Sequence, residues 1–154
     1  MLQSLMINLN IQIEELIENK APDFQIAKVI KTEIKNYLNS LDELFVDSSG
    51  KDFFVKHTKK IDGFLKVIYK YLLRKHFGSY LPMSNSIPIT IIALGSYGRE
   101  QLCIYSDIDI MVLFDEVSGF NIKPIMEEFM ILAWDSGLKL GSRVHDIEEI
   151  SNAV

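Results

Sequence analysis

Two aspartates lie two residues apart at the start of an apolar segment. Asp107 and Asp109 open the stretch DIDIMVLF (107–114), whose β-branched and aromatic residues predict a buried strand. Because residues two apart on a strand point to the same side, we expect the carboxylates side by side while Ile108 and Ile110 face the core. Adjacent ionised carboxylates repel unless a cation neutralises them, and an all-oxygen site suits Mg²⁺ better than Zn²⁺. The pair therefore predicts a Mg²⁺ site.

A glycine-containing turn precedes this pair of acids. Gly95 and Gly98 allow the backbone to come close to a ligand. Backbone amides near Tyr97, together with the hydroxyl of Ser96, can hold phosphate oxygens, and Arg99 adds a fork of charged donors. The combination predicts a nucleoside triphosphate that is held by the turn and by Mg²⁺ on the acids.

Each half of this pattern has an ordinary explanation when taken alone. A Gly-Ser turn followed by arginine is more often a tight connection than a binding site, and two acids at the start of a strand can simply be solvated. The two features occur together here, between hydrophobic strands, which favours the functional interpretation.

Periodicity predicts the elements that must position these residues. The fold class is α+β: an N-terminal helical region (1–80), then a small mixed sheet with flanking helices (81–154). Leucines and isoleucines at steps of three and four predict a first helix that ends before Pro22. Further helices are predicted over 23–45, 52–77 and 121–135, strands over 89–94, 108–114 and 138–144, and a loop over 78–88.

The helical pattern also predicts which side chains face the core. Those expected to point inward from the second helix are Ile26, Ile30, Ile34, Tyr37, Leu38, Leu41 and Phe45. The lysines expected mostly on the solvent side of the third helix are Lys59, Lys60, Lys66 and Lys70. His57 and His76 have no companion at the spacing of a metal site or a nucleophile, so we expect both to be structural.

Composition narrows the classes of partner. The 154-residue chain carries 16 basic and 21 acidic residues, a formal charge of −5, so nucleic acid is not expected as the main partner. Its single cysteine, Cys103, makes no internal disulfide, and a reducing, cytoplasmic setting is expected. The first twenty residues lack the features of a signal peptide, and no apolar run is long enough to span a membrane. We therefore expect a soluble protein.

The motif resembles that of the DNA polymerase beta-like nucleotidyltransferase superfamily, in which Gly-Gly or Gly-Ser, a short turn and Asp-x-Asp follow one another. Within it, the likeness is greatest to the bacterial PII uridylyltransferase/uridylyl-removing enzymes, whose segment resembles Ala-x-Gly-Gly-Tyr-Gly-Arg-Gly-Glu-Leu, two variable residues and Tyr-Ser-Asp-x-Asp. The residues that fit are Gly95, Tyr97, Gly98, Arg99, Leu102, Tyr105, Ser106, Asp107 and Asp109. The likeness runs from about residue 58 and includes the segments 61–65, 134–138 and 141–149.

The resemblance implies Mg²⁺-dependent transfer of a nucleoside monophosphate from UTP to a tyrosine of a PII-like signalling protein. It implies that Asp107 and Asp109 are the catalytic metal ligands. The residues implied in nucleotide binding are Gly95, Ser96, Tyr97, Gly98 and Arg99. Members of the superfamily commonly use a third carboxylate on a later strand, for which Asp146 is the candidate. The alternative is that Asp146 caps a helix starting at Ile147, with Glu149 at capping-box spacing.

The sequence also departs from the family. Glu100-Gln101 stands where Gly-Glu is usual, and Ser142, His145 and Asp146 replace other residues in the last predicted strand. The family's enzyme continues into further domains, so we expect this chain to be part of a longer protein. Two alternatives remain. One is a nucleotide-binding or protein-interaction module without catalysis. The other is a transferase acting on a small molecule or RNA, and the absence of a continuous row of basic residues disfavours RNA.

Overall fold

The computed structural model describes residues 2–77, 89–115 and 121–153, and within them it confirms the α+β class. The predicted loop over 78–88 and the predicted boundary between residues 80 and 81 lie outside these residues. The elements are α1 (Leu2–Glu18), α2 (Asp23–Asn39), α3 (Leu41–Val46), α4 (Gly50–Phe77), β1 (Ile89–Ala93), α5 (Gly95–Gly98), β2 (Ile108–Phe114), α6 (Ile122–Asp135), β3 (Leu140–Asp146) and α7 (Ile147–Asn152).

The described strands form one mixed sheet in the order β1-β2-β3. β1 runs antiparallel to β2, with Ala93 opposite Ile110, and β3 runs parallel to β2, with Gly141 opposite Asp109. A parallel neighbour requires a crossover connection, which α6 supplies between β2 and β3. The end of β1, the start of β2 and the start of β3 therefore meet at one edge of the sheet.

One face of the sheet packs on the helices. Ile108, Ile110 and Val112 are all nearly inaccessible, and they belong to the same hydrophobic cluster as Ile30 of α2 and Phe129 of α6. The odd-numbered residues of β2 point to the other face, because side chains alternate along a strand. This second face carries Asp109.

The second predicted helix, over 23–45, was wrong in its length. The helix is interrupted at Ser40, which separates α2 from α3. The hydroxyl of Ser40 donates to the carbonyl oxygen of Tyr37 at 2.7 Å, and its backbone amide donates to the same oxygen at 3.0 Å. Serine side chains compete in this way with the regular helical hydrogen bonds. Phe45, which was expected to face inward, is consequently 44% exposed.

The placement of Lys60 on the solvent side was also wrong. Lys60 is only 3% exposed, and its ammonium group lies 5.5 Å from the ring centre of Tyr37 and 5.0 Å from that of Phe64. Burial lowers the pKa of Lys60, and the nearby carboxylate of Glu33 partly offsets this effect. Contact between a cation and aromatic faces compensates some of the lost hydration, which a period of 3.6 residues does not encode.

The third strand was predicted at the right place with different bounds. It was expected over 138–144 and is Leu140–Asp146, while the helix before it, expected over 121–135, is Ile122–Asp135.

In the part of the chain that the structure describes, no helix combines the length and the apolar character needed to cross a membrane. A cytoplasmic location stays a prediction.

His57 lies in the helical core, as expected of a structural histidine. It is 3% exposed, its Nδ1 lies 2.8 Å from the hydroxyl oxygen of Tyr37, and its ring stacks on that of Phe53. Burial lowers the pKa of His57 to about 4, because the charged imidazolium loses its hydration there.

This lowered pKa predicts a stability that depends on pH. An unfolded histidine has a pKa of about 6.5, so below that pH the unfolded chain takes up a proton that folded His57 does not. The unfolding free energy should therefore fall by about 2 kcal/mol between pH 7 and pH 5. Urea unfolding of the wild type and of His57→Gln at both pH values checks this. The unfolding free energy of the variant should fall less than that of the wild type, and an equal fall in the two proteins would contradict the prediction.

Candidate functional site

Asp109 is held between two glycines at the edge where the three strands meet. A β-carbon built on Gly95 would lie 2.9 Å from Oδ2 of Asp109, and one built on Gly141 would lie 2.7 Å from Oδ1. Carbon atoms do not approach oxygen this closely, so a side chain at either position would displace the carboxylate of Asp109 from its place. Gly95 also has φ of +56°, a conformation that favours glycine. The carboxylate of Asp109 therefore faces the glycine turn, as the sequence predicted.

Backbone hydrogen bonds fix the turn to β2. The amide of Leu94 donates to the carbonyl oxygen of Asp109 at 2.9 Å. The amide of Gly98 donates to the carbonyl oxygen of Leu94 at 2.8 Å. A β-carbon on Gly98 would lie 2.7 Å from the carbonyl oxygen of Ala93, so this glycine lets α5 pack against the end of β1. The first amide that donates within α5 is that of Gly98. The amides of Gly95 and of the next two residues therefore have no partner within this helix.

Asp107 lies directly before β2 and is exposed, as is Asp109. Ile108, between them, is 4% exposed and belongs to the core. Alternation of side chains thus turns both acids away from the core and towards solvent at the same edge of the sheet. Both carboxylates are open to a cation from solution.

The side chain of Tyr97 does not face this edge. Tyr97 is 5% exposed, and its hydroxyl donates a short hydrogen bond to Oδ1 of Asp62 on α4. Burial, and then the neighbouring Asp62 carboxylate, raise the pKa of Tyr97 well above its ordinary value. Only the backbone of Tyr97 is therefore available to a ligand, and its side chain anchors the turn to the helical region.

Removal of this anchor should destabilise the fold. Tyr97→Phe leaves the partly buried Asp62 carboxylate without its donor, so the unfolding free energy should fall by roughly 1–3 kcal/mol. Urea unfolding measures the change, with Tyr105→Phe as the control because Tyr105 is 79% exposed. Equal losses in the two variants would show that the hydrogen bond to Asp62 contributes nothing.

Arg99 and Glu100 end the turn. Arg99 is exposed, and its Nε donates to Oε1 of Gln101 at 3.4 Å. Glu100 has φ of +56°, a left-handed conformation that is unfavourable for a residue with a β-carbon. Glycine would adopt this conformation without strain.

Glu100→Gly should therefore stabilise the protein. Relief of the left-handed strain outweighs the greater chain entropy of glycine, and we expect a gain of up to about 1 kcal/mol in the unfolding free energy. Glu100→Ala is the matched control, since it removes the same charge but keeps a β-carbon. A gain that is equal in both variants would assign the effect to charge instead of conformation.

The structure does not bring Asp146 to the two acids. Asp146 is opposite Phe114 at the far end of β3, five residues beyond Gly141, and therefore about 16 Å along the strand. Its Oδ1 accepts a hydrogen bond from the backbone amide of Glu148 at 2.7 Å. Asp146 and Glu149 together form a capping box at the start of α7. The capping alternative is thus confirmed. Among the described residues no three histidine, cysteine, aspartate or glutamate side chains are placed to hold a metal together.

Gly141 belongs to the site, and the sequence did not identify it as a site residue. Its role depends on the register that places it opposite Asp109. A glycine in a predicted strand suggests a close backbone approach, but the approaching group cannot be read from the sequence.

A cavity of about 760 Å³ lies on the other side of the turn, between α1, α4 and β1. It is lined mainly by apolar side chains and includes Asp62 and Tyr97, but neither Asp107 nor Asp109. The open edge with the two acids is therefore separate from this cavity.

Comparison with known proteins gives a local similarity to one kind of enzyme. The chain is 38% identical over 66 residues to the bifunctional uridylyltransferase/uridylyl-removing enzyme of Pseudomonas fluorescens (strain SBW25), which is 43% of this chain. The corresponding enzymes of Pseudomonas entomophila and Methylococcus capsulatus are 39% and 37% identical over 65 residues. A segment of this chain is thus similar to uridylyltransferases.

The similarity covers a small part of these relatives. It spans 43% or 42% of this chain but only 7% of the length of each enzyme. No family model matches the chain, and no solved structure matches it. The similarity supports a general function related to nucleotidyl transfer.

Proposed function

We propose that this chain contains the nucleotidyltransferase site of a Mg²⁺-dependent enzyme that transfers UMP from UTP to a tyrosine hydroxyl of a PII-like protein. The observation that carries the proposal is the position of Asp109, whose carboxylate is enclosed by the glycine of the turn and by the glycine of β3. The local similarity to enzymes named uridylyltransferases supports the choice of reaction and of UTP.

The donor atoms suit Mg²⁺. Asp107 and Asp109 offer only oxygen atoms, both residues are exposed, and few protein ligands leave room for water and phosphate oxygens. The carboxylate itself takes the space that a β-carbon at Gly95 or Gly141 would fill, so the two glycines leave room for it at this edge. Mg²⁺ bound there would polarise phosphate oxygens and lower the pKa of an attacking hydroxyl.

The residues of the chain supply position and charge. The amides at the start of α5 and the hydroxyl of Ser96 bind phosphate oxygens, and Arg99 donates to phosphate from the end of the turn. The tyrosine hydroxyl gives up its proton to water and its oxygen attacks the α-phosphorus, while the bond from that phosphorus to the bridging oxygen breaks and pyrophosphate leaves with the electron pair. Tyr97 and Asp62 hold the turn against α4 during this exchange.

Transfer of labelled nucleotide tests the proposal. The 154-residue chain is incubated with a bacterial PII-like protein, Mg²⁺ and each of the four nucleoside triphosphates labelled at the α-phosphate. Label from UTP should appear on the acceptor only with Mg²⁺, and replacement of the acceptor tyrosine by phenylalanine should prevent it. Absence of both label transfer and pyrophosphate release with every nucleotide would contradict an enzymatic function.

A second candidate is a module that binds a nucleotide without transferring it. The capping box of Asp146 favours it, since this carboxylate is engaged by the backbone of α7 and lies far from Asp109 along β3. Such a module would bind Mg²⁺ and a nucleoside triphosphate but release no pyrophosphate. Binding measured together with pyrophosphate release separates the two candidates.

A further inference from the structure

Arg143 lies on the same face of the sheet as Asp109. It belongs to β3 opposite Met111, two residues beyond Gly141, where an added β-carbon would lie 2.7 Å from Oδ1 of Asp109. Residues two apart on a strand share a face and are about 6.6 Å apart. A side chain as long as arginine is therefore long enough to extend from β3 to the space in front of Asp109.

Among the residues that the structure describes, the guanidinium group of Arg143 has no polar partner. Arg143 is exposed, and within the described ranges 2–77, 89–115 and 121–153 it forms no hydrogen bond or ion pair. His145 shares this face two residues further on, but its Nδ1 lies 3.8 Å from a carboxylate oxygen of Glu149 on α7. The cation nearest to Asp109 along β3 on this face is thus Arg143.

The charge of the proposed complex requires such a cation. Two carboxylates and a triphosphate carry more negative charge than the metal ion neutralises, and the side chain of Arg99 lies only at the turn side of the site. Arginine remains charged at every accessible pH, and its planar fork of donors matches phosphate oxygens. An exposed arginine on the same face as Asp109 meets this requirement.

We propose that Arg143 binds the phosphate chain of the nucleotide from β3, opposite the glycine turn. The inference rests on the proposed function and adds to it a binding residue that the motif around the two acids does not contain. The triphosphate then lies between two positively charged groups, Arg99 at the turn and Arg143 on the neighbouring strand. Binding of the nucleoside itself does not involve Arg143.

Isothermal titration with Mg·UTP and with UMP tests this inference. Arg143→Gln should raise the Kd for Mg·UTP by about 10-fold or more while changing that for UMP less than about 2-fold. Arg143→Lys keeps the charge but loses the planar fork of donors, so its Kd for Mg·UTP should lie between those of the wild type and of Arg143→Gln. Lys123→Gln is the control, because Lys123 is an exposed cation at the start of α6, beyond the other end of β2.

The outcomes separate the two proposals. If Asp109→Asn loses Mg·UTP binding and Arg143→Gln binds as the wild type does, the role of Arg143 is overturned while the site stands. If the wild type binds no Mg·UTP at all, the proposed function and the role of Arg143 both fail. An equal loss in Arg143→Gln and Lys123→Gln would show a general effect of charge, which also contradicts a specific contact. Circular dichroism verifies that each variant is folded.

Discussion

Asp109→Asn is expected to abolish nucleotidyl transfer while the protein remains folded. Asparagine has the shape of aspartate, so it fits between Gly95 and Gly141, but it lacks the charge that holds Mg²⁺. Loss of several kcal/mol of metal-dependent stabilisation of the transition state corresponds to a decrease in kcat of about 10³-fold or more. The rate of pyrophosphate release from UTP, with saturating Mg²⁺ and acceptor protein, measures this effect.

The matched control is Asp115→Asn. Asp115 is exposed and follows β2 at its other end, so this variant removes one carboxylate from the same strand without touching the proposed site. Its kcat should equal that of the wild type. Retention of more than about a tenth of the activity by Asp109→Asn would contradict the assignment of Asp109 as a metal ligand.

Gly141→Ala is the second variant with a large expected effect. The new β-carbon would lie 2.7 Å from Oδ1 of Asp109, so the carboxylate or β3 must move to relieve the contact. A displacement of about 1 Å of a catalytic group can cost on the order of 10²-fold in rate, and we expect a loss of this size in kcat. The unfolding free energy should change by less than about 1 kcal/mol, because alanine is at least as favourable as glycine in a strand.

Gly50→Ala provides the comparison for Gly141→Ala. A β-carbon on Gly50 meets no atom within 4 Å, so the same chemical change should leave kcat unaltered. Measurement of kcat and of urea unfolding on both variants separates displacement of Asp109 from general destabilisation. Full activity of Gly141→Ala would mean that the position of the Asp109 carboxylate is not critical.

The sequence predicted the positions of the helices and strands better than the contacts between their side chains. Helical periods indicated α1, α4 and α6, and runs of β-branched and aromatic residues indicated β1 and β2, because many of their apolar residues belong to one core. The break at Ser40 follows from a local hydrogen bond, and the burial of Lys60 follows from two aromatic rings that converge on it. Neither effect has a periodic signal in the chain.

The site was predictable to the extent that it is local in sequence. The Gly-Ser turn and the Asp-x-Asp pair lie at the adjoining ends of two neighbouring strands, so the approach of Asp109 to Gly95 could be expected from the motif. Gly141 and Arg143 acquire their positions only through the parallel register of β3 with β2. The same register places Asp146 at the far end of the strand, where its capping spacing with Glu149, visible in the sequence, is realised.

The metal dependence of nucleotide binding tests the central claim most directly. Isothermal titration of the chain with UTP should show binding in Mg²⁺, and this binding should be lost in EDTA and in the double variant Asp107→Asn, Asp109→Asn. The variant keeps the side-chain volumes and removes only the two charges that attract the cation. Binding of UTP that is equally tight without Mg²⁺, or in the double variant, would contradict a magnesium-bound triphosphate at this edge of the sheet.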